Sequence, residues 1–518
     1  MNLSKTTYCD GVQCKKMLWL KKFKPECAVA DEDKTKKENG IKVGNLAKGL
    51  FGKYENVEKD DNHIMVQKTR ELMLKEPNII TEASFSFDNN FCSVDVLKND
   101  RDGVEIYEVK SSTSIYVDDS DKKKEEYLND AAFQYFVLSR LDLNVKKVCI
   151  VHVNKNYKLD KKFSIKKFFK IEDITEEVKQ RQDEVRINIE MMKKYIDEHV
   201  SENEPIKKIG MHCFRPYPCA FWQYCTRELP EPNVFDLRGM RSSTKLKKYY
   251  DGKITFKDLK KEYVSKKKKA SKKNNESKNE YLDKYEQQID YEINEINPDI
   301  DEDAISRFLE SLEYPLYFID YETIRPVIPI IEGTKPYQQI PFQYSLHIIK
   351  EENDDEAEHK EFLAEVDDEN MIRTFAENMI KDIPEEGSVI VYNKDFEYNR
   401  NKEIAEMFPD LKKSMCKINC NMVDIMVPFK ERKYYTKEMQ GSYSLKYVLP
   451  ALYPDDPELD YSNLPVVHNG GEASDAFESL KDKSAEEQEE IREGLLKYCE
   501  LDTLAMVKIW RKFKEVVE

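Results

Sequence analysis

The sequence lacks any long apolar run. None of its 518 residues belongs to a continuous apolar stretch of about 18 residues, the length that predicts a membrane-spanning helix. The stretch Met1–Leu20 is too polar for a secretory signal. An excess of positive charge is also missing, because the formal net charge is -16, a poor match to a protein that coats DNA non-specifically. These absences predict a cytoplasmic protein that does not enter a membrane.

The chain does contain enough apolar material for folded domains. Hydrophobic residues make up 40% of it and aromatic residues 11%. Near its middle, Lys266–Glu280 reads KKKKASKKNNESKNE, in which Ala270 is the one apolar residue. Such a charged run is typical of a solvated spacer. We therefore expect one domain over residues 1–229, a partly helical and partly flexible linker region over 230–300, and a second domain over 301–518.

Both expected domains alternate strand and helix patterns, which predicts the α/β class for each. The predicted strands and helices are Phe91–Leu97, Val104–Lys110, Tyr127–Arg140 and Lys147–Val153 in the first domain, and Ala304–Leu312, Leu316–Tyr321, Ser388–Tyr392 and Ala485–Glu515 in the second.

A first group of candidate catalytic residues lies in SVDVLKNDRDGVEIYEVKSS. Asp95 falls on one predicted strand, and Glu108 and Lys110 fall on the next, where alternation places them on the same face. Two carboxylates can hold Mg²⁺ or Mn²⁺ while an ammonium orients a water for attack on phosphorus. Gln134, on the following helix, could orient Lys110 or a phosphate.

This set resembles the PD-(D/E)xK nucleases of the RecB type, which include the CRISPR adaptation exonucleases. The resemblance implies a restriction-endonuclease-like domain in which Asp95 and Glu108 bind metal while Lys110 and Gln134 serve catalysis. One departure is the upstream GxxxH motif, since Gly40–Gly44 ends in glycine here. Either the metal has fewer protein ligands or another side chain, such as Glu82, replaces the histidine.

Cysteines form a second group. In HCFRPYPCAFWQYC the thiols of Cys213, Cys219 and Cys225 are six residues apart, which is not the C-x₂-C spacing of zinc ribbons. A fourth ligand would come from Cys14, with Cys9 as its competitor. RecB-type nucleases with an iron–sulfur cluster have a similar arrangement, which implies a [4Fe–4S] cluster on Cys14, Cys213, Cys219 and Cys225. Structural zinc, with His212 as a possible ligand, is the alternative.

A third group lies in the second domain. Asp320 and Glu322 end the strand in YPLYFIDYET, and Glu397 follows the strand in SVIVYNKDFEYNR. In YCELDTLAMVKIW, Tyr498 and Asp502 are one helical turn apart. If these four carboxylates converge, they can bind two metals that activate a water and stabilise the leaving oxygen.

In this order the fragments resemble the DnaQ-like DEDD exonucleases of RNase H-like fold, in the variant that ends in YxxxD. The resemblance implies that Asp320, Glu322, Glu397 and Asp502 bind metal and that Tyr498 positions the attacking water. Many relatives have aspartate at the position of Glu397, so Asp395 is a competing candidate.

Two further features of the second domain have open interpretations. His468 does not fit the histidine variant, HxAxxD, because of its distance from Asp475, and is interpreted as a loop residue or a substrate contact. In GSYSLKYVLPALYP, Lys446 and the hydroxyls could meet a phosphate, but Ser442 or Ser444 could instead cap the helix, which we favour.

The order of the two domains resembles a bacterial family that joins a RecB-type nuclease to a DnaQ-like, YprB-type domain. The resemblance implies a Mg²⁺- or Mn²⁺-dependent nuclease, an exonuclease on single-stranded DNA ends, in repair, CRISPR adaptation or anti-phage defence. Alternatives are an RNA-processing exonuclease, a nucleic-acid-binding scaffold with one or both sites vestigial, and a redox sensor.

Overall fold

The computed structural model describes residues 2–29, 34–75, 77–118, 120–199, 203–271, 276–294, 298–354, 356–384 and 386–518. They form two compact units. Unit 1 comprises Met1–Glu228 and Pro326–Gln338, and unit 2 comprises Leu229–Arg325 and Gln339–Glu518. The chain therefore crosses between the units three times. Across these described ranges, no helix combines the length and the apolar character needed to cross a bilayer.

Unit 1 is an α/β structure around one mixed sheet. Its strands are β1 (Leu3–Ser4), β2 (Glu55–Asn56), β3 (Asn78–Phe87), β4 (Asn90–Asp100), β5 (Gly103–Lys110), β6 (Val145–Val153) and β7 (Phe169–Asp173). Its helices are α1 (Lys5–Gln13), α2 (Lys15–Phe23), α3 (Lys34–Lys48), α4 (Asn62–Met73), α5 (Glu125–Ser139), α6 (Ile165–Phe168), α7 (Thr175–Gln180), α8 (Gln182–Glu198) and α9 (Trp222–Thr226). The strand order is β2-β3-β4-β5-β6-β7, with β1 paired to β4.

Two helices pack together over the centre of this sheet. Strands β4 and β5 form an antiparallel hairpin, and β6 then adds parallel to β5 through the crossover helix α5. Helix α5 is buried along most of its length, and its Phe133 ring stacks on Tyr8 of α1 with a centroid separation of 4.8 Å. This contact places the start of the chain beside α5 and the β4–β5 hairpin.

A segment from the second half of the chain completes unit 1. Within Pro326–Gln338, Val327 is fully buried in a core that includes Tyr107 and Val151. The Leu159 amide donates to the Thr334 carbonyl at 3.0 Å. Unit 1 therefore depends on a segment that begins 98 residues after the end of its main part.

Unit 2 is also α/β. Its strands are β8 (Asp299–Ile300), β9 (Leu316–Ile324), β10 (Ile340–Ile349), β11 (Glu358–Leu363), β12 (Ser388–Val391), β13 (Met422–Asp424) and β14 (Tyr434–Tyr435). Its helices are α10 (Ser242–Tyr250), α11 (Phe256–Ser271), α12 (Glu276–Asn294), α13 (Glu302–Glu310), α14 (Met371–Asp382), α15 (Asp395–Met407), α16 (Lys412–Cys420), α17 (Val427–Lys430), α18 (Leu445–Leu452), α19 (Gly470–Ser479) and α20 (Ala485–Val517). Strands β8 and β14 pair separately from the main sheet.

The main sheet of unit 2 has the order β11-β10-β9-β12-β13. Strand β10 is antiparallel to both β11 and β9, whereas β12 is parallel to β9 and to β13. Its central strand, β9, is buried along most of its length. Helix α20 begins at a capping box between Ser484 and Glu487, which satisfies its first amides. Trp510 on α20 packs against Phe318 of β9, with a ring-centroid distance of 6.2 Å.

The region expected as a linker, residues 230–300, belongs to unit 2 and contains α10, α11 and α12. Apolar residues in it recur at helical spacing and form a core of their own: Val234, Leu237, Phe256, Leu259, Tyr263, Tyr285 and Ile289. These few residues stabilise helices in a stretch whose composition is dominated by lysine. Residues 272–275 of the Lys-rich run lie outside the described part of the chain.

Candidate functional site

Carboxylates from three elements converge in unit 2. Asp320 and Glu322 alternate on β9 and so share a face, while Asp502 comes from α20. One carboxylate oxygen of each lies within 4.8 Å of those of the other two. Glu397, in the first turn of α15, acts electrostatically on both Asp320 and Glu322. The structure thus brings together the four acidic residues named from the sequence, and we call them the carboxylate cluster.

Burial controls the charge state of the carboxylate cluster. It raises the pKa of Asp320, and the neighbouring Asp502 raises it further. Burial likewise raises the pKa of Glu322 and Glu397, to which the nearby carboxylates add. Burial raises the pKa of Asp502 to about 6, although hydrogen bonds from tyrosines act in the opposite direction. Buried carboxylates this close cannot all be ionised unless cations neutralise them.

The donor set of the cluster fits a hard divalent cation. Mg²⁺ and Mn²⁺ prefer oxygen ligands, and every member of the cluster offers carboxylate oxygens. Glu397 is only 1% exposed, and its Oε2 atom is buried without a hydrogen-bond partner among the described residues. A buried carboxylate oxygen without a partner has a ligand position to offer.

Two tyrosines hold Asp502. The Tyr461 hydroxyl donates to Oδ1 of Asp502 at 2.6 Å, and Tyr498, one turn earlier on α20, also donates to this carboxylate. Their ring centroids are 5.8 Å apart. The sequence reasoning identified Tyr498 from the YxxxD spacing but missed Tyr461, which lies 41 residues before Asp502 in a short 3₁₀ turn.

A cavity of about 550 Å³ adjoins this tyrosine pair. It is lined by Lys446, Pro450, Tyr453, Pro454, Asp455, Asp456, Pro457, Leu459, Asp460, Tyr461, Asn463 and His468. The Lys446 charge lowers the pKa of Asp502, so this ammonium lies near enough to the carboxylate cluster to influence it. On the side of Glu322, a Cβ added to Gly470 would lie 3.4 Å from Oε2. A glycine therefore leaves room beside that carboxylate.

The structure distinguishes Glu397 from its competitor Asp395 and adds Asp424 as a neighbour of the carboxylate cluster. Asp395 is exposed at the start of α15, whereas Glu397 is buried against the other carboxylates. Asp424, which the sequence reasoning did not single out, accepts backbone hydrogen bonds from Asn393 and Lys394 at 3.0 and 3.2 Å. Its charge raises the pKa of Glu397.

Among the polar residues that precede α18 and α19, His468 lines the cavity. His468 precedes α19, and its Nδ1 lies 2.9 Å from Oε2 of Glu472. Ser444 is the N-cap residue of α18, yet its side chain makes no capping hydrogen bond. The Ser442 hydroxyl instead accepts from the Ser444 amide at 3.2 Å. Ser444 therefore has the N-cap position that we expected, but its hydroxyl does not make the expected hydrogen bond to an amide of α18.

A second polar cluster lies in unit 1, where the structure brings together the residues of the first motif. The Oδ2 atom of Asp95 accepts from the Val109 amide at 2.7 Å, which fixes it beside β5. Glu108 accepts from Lys110 at 2.8 Å and from the Gln134 amide at 2.5 Å. Both the lysine and the glutamine therefore bind the glutamate directly.

Two residues that the motif reasoning missed belong to this site. The Lys5 ammonium lies 2.8 Å from Oε1 of Glu108 and 3.4 Å from Oδ1 of Asp130. Asp130 also pairs with Lys110 and lies one helical turn before Gln134 on α5. The i, i+4 spacing of Asp130 and Gln134 was a signal in the sequence. Lys5, 103 residues before Glu108, gave no local signal.

The charges in unit 1 are largely balanced within the protein. Burial alone would raise the pKa of Glu108, but Lys110 and Lys5 hold it well below its usual range. Burial and the charge on Glu108 together raise the pKa of Asp95 to about 7. Of this coupled pair, Glu108 keeps its charge and Asp95 takes up the first proton. A divalent cation at this site would share Glu108 with two ammonium groups.

The possible substitute for the missing histidine, Glu82, lies between the two residues of β3 that pair on either side of Asp95. Glu82 lies on β3 with a positive φ of 57° and pairs with Lys48 at 3.4 Å. Gly40 and Gly44 both lie within α3. The ion pair of Glu82 is therefore with a lysine of α3. Asp130, by contrast, pairs with Lys110, which also contacts Glu108.

The segment from Cys213 to Cys225, which we call the cysteine loop, lies beside Cys14. Cys14 joins α1 to α2, and the side-chain Nε2 of the preceding Gln13 donates to the backbone carbonyls of His212 and Tyr217, both at 2.9 Å. Burial raises the pKa of Cys225 to about 11. Nearby Lys16 lowers it, and the thiols of the other three cysteines raise it. The four cysteines expected to bind a cluster, Cys14, Cys213, Cys219 and Cys225, are therefore neighbours.

Cys9, the competitor for the fourth position, faces a different group. Burial raises the pKa of Cys9, and the next largest influences on it are Asp130, Lys110 and Lys5. Cys9 therefore lies toward the polar cluster of unit 1, whereas Cys14 lies toward the loop.

The comparisons with known proteins cover parts of the chain. No solved structure matches it. A protein of Mycoplasma genitalium, uncharacterized protein MG366, is 29% identical over 210 residues, which are 37% of this chain and 31% of that protein. Uncharacterized protein UU173 of Ureaplasma parvum is 27% identical over 234 residues, 42% of this chain and 33% of that protein. The chain thus spans about a third of the length of these relatives. Residues 317–444 match a family described as a domain of unknown function, DUF2779.

Proposed function

We propose that this chain is a metal-dependent nuclease whose principal active site is the carboxylate cluster of unit 2. The observation that carries the proposal is the convergence of Asp320, Glu322 and Asp502 within 4.8 Å, with buried Glu397 beside them. Buried carboxylates with raised pKa values that share one site are typical of catalytic and ion-binding centres. Divalent ions held by such a cluster supply activation of a water and stabilisation of the leaving oxygen in phosphodiester hydrolysis.

The protein side chains around the cluster have separate roles in this proposal. Tyr498 orients the attacking water, and Tyr461 fixes Asp502 in position. Lys446 and His468 border the cavity next to Asp502 and are suited to contacting a phosphate and an adjoining nucleotide. The central position of β9 in a mixed five-stranded sheet is compatible with the RNase H-like resemblance.

For unit 1 the structure supports two roles. Asp95, Glu108, Lys110 and Gln134 are together, as the PD-(D/E)xK resemblance implies. Lys5 and Lys110 already neutralise Glu108, and this pairing is the observation behind a second candidate, a nucleic-acid-binding role in which the site is vestigial. We propose cleavage by unit 1 as the first candidate and binding alone as the second.

We also propose that the four neighbouring cysteines hold a [4Fe–4S] cluster. None of the four forms a disulfide and all are partly exposed, which leaves their sulfurs available as ligands. The cluster would join the α1–α2 junction to the loop that precedes α9 and stabilise unit 1. Structural zinc at the same thiols is the alternative, and the visible absorption of the anaerobically purified protein distinguishes the two.

The proposed function is tested by cleavage of end-labelled single- and double-stranded DNA and RNA with Mn²⁺. The protein is purified anaerobically as wild type, Asp502→Asn and Lys110→Met. Glu493→Gln, an exposed change on the same helix as Asp502, is the matched control. We expect Asp502→Asn to lower the rate by at least about a hundredfold, the scale of losing one electrostatic contact in an active site.

The pattern of loss identifies the working unit. Loss with Asp502→Asn alone assigns cleavage to unit 2, and loss with Lys110→Met alone assigns it to unit 1. Loss with both indicates two active sites or a coupled reaction. Activity that survives both substitutions contradicts the mechanism, and an inactive wild type favours the scaffold function.

A further inference from the structure

A second group of possible metal ligands in unit 2 contains no member of the carboxylate cluster. His347 lies on β10, His359 on β11 and Glu500 on α20. One ring nitrogen of each histidine and one carboxylate oxygen of Glu500 lie within 4.8 Å of one another. The two imidazole centroids are 4.6 Å apart. Two imidazoles and one carboxylate are a ligand set that suits zinc, which leaves a further position for water.

Hydroxyl groups fix both histidine rings. Thr503 Oγ1 donates to the Glu500 carbonyl at 3.0 Å, so it accepts from Nδ1–H of His347 at 2.8 Å. The Ser345 hydroxyl lies 2.7 Å from Thr503 Oγ1 and 2.9 Å from Nε2 of His359. In a hydrogen-bond chain that satisfies every donor, Ser345 donates to Thr503 and accepts from His359.

This hydrogen-bond chain determines which nitrogen of each ring keeps a lone pair. His347 keeps a lone pair on Nε2, and His359 keeps one on Nδ1, which is 3.9 Å from Oε1 of Glu500. Metal-binding histidines usually donate their other ring N–H to an outer hydrogen-bond acceptor in this way. In this arrangement each ring has one unprotonated nitrogen that it can offer to a metal.

Exposure is graded across the group. His347 is 5% exposed, whereas the side chains of His359 and Glu500 are 25% and 45% exposed. A metal ion can therefore reach the group from the solvent side and contact the buried imidazole last. Glu361 pairs with Ser345 between β10 and β11, and His359 and Glu500 both act on its charge.

We propose that His347, His359 and Glu500 form a transition-metal site, with zinc as the preferred ion, separate from the carboxylate cluster. The site would join β10, β11 and α20. Ser345 is paired with Asp320 across the sheet, and Thr503 follows Asp502. A metal here would therefore hold α20, which carries Asp502, against β10, the strand that pairs with β9 at Asp320. The inference concerns metal binding and does not rest on the proposed nuclease activity.

The test is zinc binding by the full-length protein in excess Mg²⁺, which occupies oxygen sites and competes poorly for imidazole. Wild type is compared with His359→Ala and Glu500→Gln. His63→Ala, an exposed histidine in unit 1, and Glu493→Gln are the matched controls. Bound zinc is measured by elemental analysis after equilibrium dialysis, and its effect on the melting temperature is recorded for each protein.

We expect His359→Ala and Glu500→Gln to weaken binding of one zinc equivalent by at least about tenfold. Both should also lose the rise in Tm that zinc gives the wild type, because a ligand stabilises the state to which it binds. The controls should keep both effects. Because Glu500 is half exposed, Glu500→Gln should fold normally, which circular dichroism checks. Zinc binding and a Tm rise that are equal in all five proteins would overturn the proposal by assigning the zinc to other ligands.

Discussion

The Tyr461 hydroxyl donates a 2.6 Å hydrogen bond to Oδ1 of Asp502, and Tyr461 also lines the cavity beside the carboxylate cluster. This bond stabilises the charged form of Asp502 and lowers its pKa, while burial raises it to about 6. Tyr461 therefore helps to keep one member of the cluster available as a metal ligand at neutral pH.

Removing that hydroxyl should weaken metal binding. In Tyr461→Phe the pKa of Asp502 rises, so a proton competes more strongly with the metal. A hydrogen bond to a charged group contributes about 1.5–3 kcal/mol, which corresponds to a pKa rise of about one to two units. At a pH below the Asp502 pKa of about 6, this rise should shift the Mn²⁺ activation curve to higher concentration by at least about tenfold. Tyr453→Phe is the matched control, because Tyr453 lines the same cavity but donates to the Lys508 carbonyl. Equal shifts in both variants would contradict the assignment.

The raised pKa values of the cluster predict a pH-dependent stability in the absence of metal. A folded-state pKa above the unfolded value gives stability that is fully present below the unfolded pKa and is lost as pH rises through the folded pKa. For Asp502 this interval runs from its ordinary value of 3.8 to about 6. In EDTA, the free energy of unfolding contributed by this group should fall as pH rises across that interval.

Metal should reverse this trend. Adding Mg²⁺ replaces the lost protons, so the Tm difference between Mg²⁺ and EDTA should grow from pH 4 toward neutrality, measured by thermal denaturation. In Asp502→Asn the dependence on pH should be shallower than in wild type, because one titrating group is gone. A Tm difference that shrinks as pH rises would count against metal binding by these carboxylates.

Lys5 should contribute to the stability of unit 1, and to any cleavage by it, as Lys110 does. Lys5→Met leaves Glu108 and Asp130 with one ammonium instead of two, and we expect a loss of about 1.5–3 kcal/mol in the free energy of unfolding. If unit 1 cleaves, Lys5→Met should lower that activity along with Lys110→Met. The comparison is with Lys37→Met, an exposed lysine on α3. Stability equal to that of Lys37→Met would show that the Lys5 pair contributes nothing measurable.

Replacing single cysteines should separate Cys14 from Cys9. Cys14→Ser removes a thiolate next to Cys213, Cys219 and Cys225, so the broad visible absorption of an iron–sulfur cluster should be lost or strongly reduced. Cys9→Ser should leave that absorption unchanged, because Cys9 lies toward Lys5 and Asp130. The spectra are recorded on anaerobically purified proteins with iron analysis. Loss with Cys9→Ser and retention with Cys14→Ser would reverse the assignment.

Local patterns in the sequence identified the elements that carry these sites. The strand predicted at Val104–Lys110 is β5, Gly103–Lys110, and the helix predicted at Ala485–Glu515 is α20, Ala485–Val517. Alternation and helical periodicity are properties of neighbouring residues, so a single sequence contains them. The α/β class follows from the same patterns.

Contacts between distant residues were not predictable in this way. Lys5 reaches Glu108 because Tyr8 stacks on Phe133, and nothing near Lys5 in the sequence indicates that packing. In the Lys-rich region, composition concealed the spacing of Leu259 and Tyr263, which determines that α11 packs as a helix. The roles of these residues can be identified only when the tertiary contacts are known.

The segment Pro326–Gln338 has a consequence for how the protein is made. Because this segment belongs to unit 1, a ribosome must have synthesised about two thirds of the chain before every piece of unit 1 exists. Until then Val327 is missing from the core around Tyr107 and Val151. Unit 1 therefore cannot complete its folding until the first part of unit 2, including β9, has been synthesised.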